Sequence, residues 1–424
     1  MRNCFLIFLI GFIFSCSKIK SNNVTPIEEK KEITAKDILG NSNYLAMSYG
    51  GYRNANHDIE PTVDELKDDM RILSAIGVKV LRTYKVHLPH ASNVLKAISE
   101  IKKEDTSFEM YVMLGAWINC KDAFTDKVPD HSQDNELNAI EIGKAVSLAN
   151  QYPDIVKVIA VGNEAMVTWQ AQYYVQPWII LKWVNHLQKL KMHNELPKDL
   201  WITSSDNFAS WGGGDGSYHV EDLTKLIKAV DFISMHTYPM HDTHYNSNFW
   251  GVLKDENTLT DIEKIDAAMV RSLNYAISQY KSVSNYIKSI GVDKPIHIGE
   301  TGWASFCNNF YGANGSKATD EYKEAKFHDL IRDWTNKNNI SCFYFEGFDE
   351  PWKGGNDPGD SEKHFGLFTV EGKAKYALWN MVDRGVFNGL TRNGNPIIKT
   401  YNGDKNTLMN DALVPLTKKE IILH

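Results

Sequence analysis

Short apolar runs alternate with longer amphipathic segments from residue 44 onward. Most of these runs are almost continuously apolar, which is typical of strands that are covered on both faces in a parallel sheet. The runs predict strands at 44–52, 78–84, 109–117, 156–164, 200–208, 231–239, 295–303 and 341–349. Because eight strand–helix units follow one another without an internal linker, the pattern favours an α/β fold of the closed (β/α)₈ TIM-barrel type over an open doubly wound sheet.

Helix signals lie between the predicted strands. Thr62 and Glu65 have the spacing of a capping box at the start of an amphipathic segment. Thr260 and Glu263 repeat this spacing at the start of a long helix, which Gly291 is expected to close. No glycine-rich phosphate loop follows the first strand, so the pattern does not indicate a dinucleotide-binding sheet.

The first 43 residues differ from the rest of the chain. Arg2 precedes an apolar run at 5–14 that is too short to span a bilayer but suits a signal peptide. The run leads to Cys16 in a segment similar to a lipobox, so we expect a lipid-anchored cell-envelope protein, with an ordinary secretory signal as the alternative. Ser17 suits sorting to the outer membrane. The predicted parts of the chain are a lipoprotein signal peptide at 1–15, a polar tether at 16–43, the barrel domain at 44–390 and a C-terminal extension at 391–424.

Composition agrees with a globular domain. Hydrophobic residues make up 43% of the 424 residues, which is ample for a buried core. The formal net charge is −7, and no basic run is dense enough to follow a nucleic-acid backbone. We therefore expect no nucleic-acid partner. We also expect a monomer.

The cysteines do not form a disulfide framework or a metal-site spacing. Cys4 and Cys16 belong to the predicted signal, which leaves Cys120, Cys307 and Cys342. A bridge between Cys307 and Cys342 and a set of three buried thiols both remain open.

Two glutamates stand at the carboxyl ends of predicted strands, where barrel enzymes carry their chemistry. Glu164 ends the fourth strand and Glu300 ends the seventh, so in a closed barrel they face each other across the mouth. Two carboxylates so placed can cleave a glycosidic bond, one as proton donor and one as nucleophile if they lie about 5–5.5 Å apart. Asn163 is placed to donate to a sugar hydroxyl, and Arg82 and Tyr238 are candidates to hold Glu300 ionised.

Three segments resemble motifs of glycoside hydrolase family 17, the β-1,3-glucanases and related transglycosylases. The segment 161–164 is similar to the acid/base motif, 299–303 to the nucleophile motif, and 345–353 to the eighth-strand motif of that family. The resemblance extends from about residue 44 to about 385, with the motifs in family order. The sequence departs from the family at Ala304, where Pro is usual, and in the loop 240–258.

The resemblance implies a retaining mechanism without cofactor or metal. It implies that Glu164 is the acid/base and Glu300 the nucleophile. Glu350 and Lys353 match polar residues that line the family's cleft.

Aromatic residues near the predicted mouth are candidates for sugar contact, since flat rings pack against pyranose faces. We expect this role for Trp303 and Trp352. It remains open for three further residues, namely Trp117, Trp169 and Trp211. The cluster of His241, Asp242 and His244 is interpreted as a polar loop and not as a metal site, since no fourth ligand is identifiable.

The leading hypothesis is hydrolysis of β-1,3-glucan of the laminarin type. The alternative is a β-1,3-glucanosyltransferase with the same two glutamates, in which a second sugar replaces water. A non-catalytic glycan-binding lipoprotein is a hypothesis of another class, which the intact glutamate pair disfavours. Exo and endo action are both compatible with the sequence.

Overall fold

Eight parallel strands close into a barrel in the computed structural model, which describes residues 33–417 and Glu420. The strands are β1 (Leu45–Ser48), β2 (Val78–Arg82), β3 (Tyr111–Ala116), β4 (Val156–Asn163), β5 (Trp201–Asn207), β6 (Ile233–His236), β7 (Ile296–Thr301) and β8 (Cys342–Tyr344). Each strand pairs in parallel with the next along the chain, and β1 pairs with β8. The predicted (β/α)₈ fold is confirmed, with every strand inside its predicted range.

Helices connect the strands and cover the barrel. They are α1 (Ala35–Ile38), α2 (Val63–Ala75), α3 (Pro89–Glu104), α4 (Glu136–Gln151), α5 (Pro177–Met192), α6 (Glu221–Ala229), α7 (Pro239–Tyr245), α8 (Asp261–Ser289), α9 (Glu321–Lys337), α10 (Trp379–Asp383) and α11 (Lys405–Asp411). Two short antiparallel hairpins, Cys120–Lys121 with Asp130–Asp134 and Thr391–Arg392 with Asn395–Pro396, lie outside the barrel sheet. Within residues 33–417, none of the helices has the length and apolar character needed to cross a membrane.

Both predicted capping boxes are confirmed. The Thr62 hydroxyl accepts from the Glu65 backbone N–H while the Glu65 carboxylate accepts from the Thr62 N–H, and Thr260 and Glu263 make the same exchange. These bonds satisfy amide groups that the first turn of a helix leaves unpaired. Gly291 follows Ile290, the C-cap residue of α8, and adopts φ +72°, a left-handed conformation that glycine takes without steric cost.

The amino ends of the strands are closed by the segment that leads into β1. Ala35 and Ile38 of α1 are buried in a cluster with residues near the strand starts, including Val80 and Phe343. The Gly40 backbone N–H donates to Ser341 Oγ at 2.9 Å, just before β8. The prediction of a tether through residue 43 was therefore wrong for residues 33–43, whose buried apolar side chains form a floor beneath the barrel. The predicted signal peptide and Cys16 lie outside the described residues.

The C-terminal segment packs against the barrel instead of extending from it. Arg392 is fully buried, and its Nε donates to Asp69 Oδ1 of α2 at 3.0 Å. The Val252 N–H donates to the Leu416 carbonyl at 2.8 Å. The folded unit thus includes most of the predicted extension at 391–424.

The three cysteines of the folded part, Cys120, Cys307 and Cys342, are buried free thiols. The possible bridge between Cys307 and Cys342 is therefore excluded. Of the two open interpretations, the structure supports three buried thiols.

Candidate active site

Glu300 lies at the carboxyl end of β7, where three donors converge on its carboxylate. Tyr238 Oη donates to Oε1 at 2.7 Å. Tyr84 Oη donates to Oε2 at 2.8 Å, and Arg82 Nη1 donates to the same oxygen. The side chain of Glu300 is only 10% exposed, so these bonds replace most of its hydration.

The donors keep Glu300 ionised. Burial alone would raise its pKa, because a low dielectric disfavours the charged form. The electrostatic effect of His236 and Arg82 outweighs burial, and the two tyrosine hydroxyls act in the same direction, so the pKa is lowered. Burial and the charge of Glu300 raise the pKa of both tyrosine hydroxyls, which therefore stay protonated as donors.

Arg82 connects the two glutamate motifs. Arg82 is the last residue of β2, and its side chain is 1% exposed. Nη1 donates to Glu300 and Nη2 donates to Asn163 Oδ1, next to Glu164 on β4. One planar cation thus fixes the ends of β4 and β7 relative to each other.

Glu164 is held more loosely than Glu300. Its Oε1 lies 3.0 Å from His236 Nδ1, and its side chain is 22% exposed. The other nitrogen of this fully buried imidazole lies 2.8 Å from Ser205 Oγ, which fixes the ring. A carboxyl group with one protein partner and access to solvent can exchange a proton with a leaving group or with water.

The backbone at Glu164 is left-handed, with φ +45°. Non-glycine residues rarely adopt this region, and where they do the surroundings must impose it. Asp206 at the end of β5 supplies part of that constraint, because its Oδ2 accepts from the Met166 N–H at 2.8 Å. Burial, and secondarily the charge of Glu164, raise the pKa of Asp206 to about 7, although the Met166 bond opposes the shift.

A second charged cluster follows β8. Lys353 Nζ donates to Glu346 Oε1 at 2.9 Å and lies 2.8 Å from Glu350 Oε2, and all three groups are shielded from solvent. Burial and the neighbouring charge of Glu350 raise the pKa of Glu346, whereas Lys353 lowers the pKa of Glu350 in spite of burial. Lys353 also lies 4.1 Å from the centre of the Phe345 ring, which is edge-on to the Tyr84 ring of the Glu300 site.

The two tryptophans predicted to contact sugar differ in their exposure to solvent. Trp352 is partly exposed and packs against His57 at 4.0 Å between ring centres, so it remains a candidate for sugar contact. Trp303 is fully buried, and its indole N–H donates to the Ala318 carbonyl at 2.8 Å. The prediction that Trp303 contacts sugar was wrong, because its ring packs between Trp250 and Phe327.

The three tryptophans whose role the sequence left open also differ in exposure. Trp211 is fully buried and donates to the Ser234 carbonyl, so it has a structural role. Trp169 is 58% exposed, and Trp117 is partly exposed beside Tyr173, with ring centres 5.2 Å apart. The loop with His241, Asp242 and His244 starts with α7, and in the part of the chain that the structure describes no three His, Cys, Asp or Glu side chains gather as a metal site.

Two residues with direct contacts to the glutamates had no predicted role. Tyr84 follows Arg82 by two positions, and His236 precedes Tyr238 by two. In an extended chain, residues two apart point to the same side. That spacing was the available signal, since Arg82 and Tyr238 were already candidates.

The segment 46–366 matches the family model of the BtgE/BtgC glycoside hydrolase domain. The chain belongs to this family. The match contains all three segments on which the resemblance to glycoside hydrolases rested, and it extends over the whole barrel.

Individual relatives agree with the family. The crystal structure of an endo-laminarinase from Formosa Hel1_33_131 superposes on this chain with a TM-score of 0.91. The two sequences are 66% identical, and the match covers 91% of this chain and 98% of that one. The glucan 1,3-beta-glucosidase of Arthroderma benhamiae is 39% identical over 62% of this chain and 70% of its own length. The protein of Aspergillus flavus named probable glucan endo-1,3-beta-glucosidase btgC is 25% identical over 75% of this chain, which spans 40% of that longer protein.

Proposed function

We propose that the protein hydrolyses β-1,3-glucan by double displacement with retention of configuration. The observation that carries the proposal is the unequal environment of two glutamates at one barrel mouth. Among the described residues, three donors surround the buried carboxylate of Glu300 and keep it ionised, whereas the carboxylate of Glu164 is more exposed and contacts one imidazole. The names of the Formosa and Arthroderma relatives support β-1,3-linked glucose as the substrate.

In the proposed first step, Glu300 attacks the anomeric carbon while Glu164 protonates the departing glycosidic oxygen. The bond to the leaving sugar breaks as the bond to Glu300 Oε forms, which gives a covalent glucosyl-enzyme. Asn163, held by Arg82, lies beside Glu164 as a donor to the sugar 2-hydroxyl. In the second step Glu164 takes a proton from water, which attacks the same carbon and releases Glu300.

The stereochemistry of the first product tests the mechanism. Proton NMR of a laminarin digest should show the β-anomer first, with the α-anomer appearing only through mutarotation. Glu300→Gln and Glu164→Gln should each lower kcat by about 10³-fold or more, because each removes a group that forms or breaks a bond. An α-anomer formed first would contradict Glu300 as nucleophile.

We also propose that the protein is a lipid-anchored monomer of the cell envelope, placed at the outer membrane. The support is sequence alone: the apolar run at 5–14 followed by Cys16 and Ser17. Cys16→Ser should move the protein from the membrane fraction to the soluble fraction and abolish labelling with a fatty-acid probe. Retention of both properties would contradict the anchor.

A further inference from the structure

A cavity of about 430 Å³ lies outside the glutamate site, between two loops on the same rim of the barrel. One wall is formed by residues 243–250, after β6, and the other by residues 308–316, after β7, with Leu416 of the C-terminal segment at one side. We call this cavity the outer pocket. Its volume falls within the range of about 300–1,000 Å³ that is typical of small-molecule sites.

The chemistry of the outer pocket is polar but uncharged. No aspartate, glutamate, lysine or arginine is among the residues that line it. An anionic ligand would find no lysine or arginine among these residues. A neutral ligand with many hydroxyl groups, such as an oligosaccharide, matches the lining.

An aromatic ring forms part of the wall. Phe310 is 55% exposed and lines the outer pocket, so its ring is accessible to a bound ligand. The His244 ring supports it from the opposite loop, with ring centres 4.6 Å apart and planes 27° from parallel. A fixed, exposed ring of this kind can pack against the apolar face of a pyranose.

Two amide side chains beside Phe310 are held in place. Asn308 Nδ2 donates to Asp357 Oδ1 at 3.1 Å, and Asn309 Nδ2 donates to Asp357 Oδ2 at 3.0 Å. One carboxylate therefore fixes both amide planes and leaves their carbonyl oxygens to accept from hydroxyl groups. Preorganised polar groups next to an aromatic face are a suitable combination for a sugar.

Aromatic contacts connect the outer pocket to Glu300. The ring of Tyr238, whose hydroxyl donates to Glu300, stacks on His241 with 5.1 Å between centres. His241 lies 5.4 Å from Tyr311, and Tyr311 lies 6.4 Å from Phe310. The pocket is thus separated from the catalytic mouth by a short wall of packed rings, within reach of one polymeric substrate.

We propose that the outer pocket binds further glucosyl units of the same β-1,3-glucan chain that is cleaved between Glu164 and Glu300. The inference rests on the proposed function and extends it, because it assigns a length-dependent contact outside the mouth. Short oligosaccharides that fill only the mouth do not use the outer pocket. Long chains gain affinity from it.

The test compares Phe310→Ala with Phe306→Ala. The two phenylalanines are 55% and 51% exposed and lie in the same loop, but Phe306 packs on His364 and does not line the outer pocket. Phe310→Ala should raise KM for laminarin by about threefold to tenfold, with kcat nearly unchanged, because ring stacking onto a bound chain is lost. Phe306→Ala should leave both constants unchanged, and neither variant should alter hydrolysis of a β-1,3-linked trisaccharide.

Binding to an inactive background supplies a second measurement. In a Glu300→Gln enzyme, the affinity for a β-1,3-linked heptasaccharide is measured by calorimetric titration. Adding Phe310→Ala or Asn309→Ala should lower this affinity, and adding Phe306→Ala should not. An unchanged affinity and KM in the Phe310→Ala enzyme would overturn the outer pocket while leaving hydrolysis intact. An equal loss for the trisaccharide would also overturn it, since the effect would then arise in the mouth. Failure of the unsubstituted enzyme to cleave laminarin would instead refute the proposed function, and with it this site.

Discussion

Replacing Tyr238 by phenylalanine isolates one hydrogen bond of the proposed nucleophile. Among the described residues, Tyr238 is the only hydrogen-bond partner of Glu300 Oε1, at 2.7 Å. The ring itself packs against His241 and is edge-on to Phe345, and phenylalanine retains both contacts. The substitution therefore removes a hydroxyl group and little else.

The expected loss follows from the charge of the acceptor. A hydrogen bond to an ionised group contributes about 1.5–3 kcal/mol, so kcat/KM should fall roughly tenfold to a hundredfold if the bond positions and stabilises the attacking carboxylate. The acid limb of the pH–rate profile should also move to higher pH. The hydroxyl donor lowers the pKa of Glu300, and activity is lost as pH falls through that pKa, so loss of the donor moves the transition upward.

Tyr84→Phe provides the matched control. Tyr84 donates to the other oxygen, Oε2, at 2.8 Å, but that oxygen also accepts from Arg82. Its loss should therefore reduce kcat/KM less than the loss of the Tyr238 hydroxyl. Steady-state kinetics on laminarin from about pH 2 to 8 measures both the loss of kcat/KM and the position of the acid limb, because the pKa of Glu300 is lowered to about 2. Thermal unfolding at each pH confirms that the variants remain folded. A larger effect from Tyr84→Phe, or an unshifted acid limb in Tyr238→Phe, would refute this account of the site.

Four further substitutions test packing and charge elsewhere. Trp303→Ala should lower the free energy of unfolding, measured by urea titration, by about 3–5 kcal/mol because the ring is fully buried. Trp352→Ala should instead raise KM and have a small effect on urea unfolding. A large loss of stability in Trp352→Ala and a small one in Trp303→Ala would contradict the burial argument. Asp69→Asn should cost about 3–5 kcal/mol in the same assay, because it leaves the buried Arg392 without its carboxylate. Burial raises the pKa of Glu324 in the folded chain. The folded chain therefore keeps a proton that the unfolded chain releases above about pH 4.3. The free energy of unfolding consequently falls as pH rises from there toward the pKa of Glu324 in the folded chain. Glu324→Gln should flatten this decline, and an unchanged slope in urea titrations across that range would count against it.

The barrel and the positions of its two glutamates could be predicted because they depend on local pattern. Each apolar run contains its strand, and in a closed barrel all carboxyl ends meet at one rim. Glu164 and Glu300 each follow such a run directly, so their location at the mouth required only the strand count. Their chemical roles remain predictions that the kinetic experiments above test.

Features that depend on distant segments could not be predicted in the same way. Trp303 is the last residue of the Glu300 motif, yet Trp250 from the connection before β7 and Phe327 of α9, 24 positions later in the chain, bury its ring. The contact of His236 with Glu164 likewise requires β4 and β6 to lie in register around the barrel. In the segment before β1, a polar composition concealed three apolar residues, Ala35, Ile38 and Leu39, that become the barrel floor.

The guanidinium of Arg82 has a consequence for engineering this enzyme into a synthase. Deleting the carboxylate, as in Glu300→Gly, would leave a buried cation and two tyrosine hydroxyls directed at an empty volume. That arrangement is an anion receptor, so small carboxylates or azide should enter it and restore turnover from activated donors. The same unpaired charge would destabilise the deleted variant, and a companion change of Arg82 to a neutral donor would be needed to keep the scaffold folded without added anion.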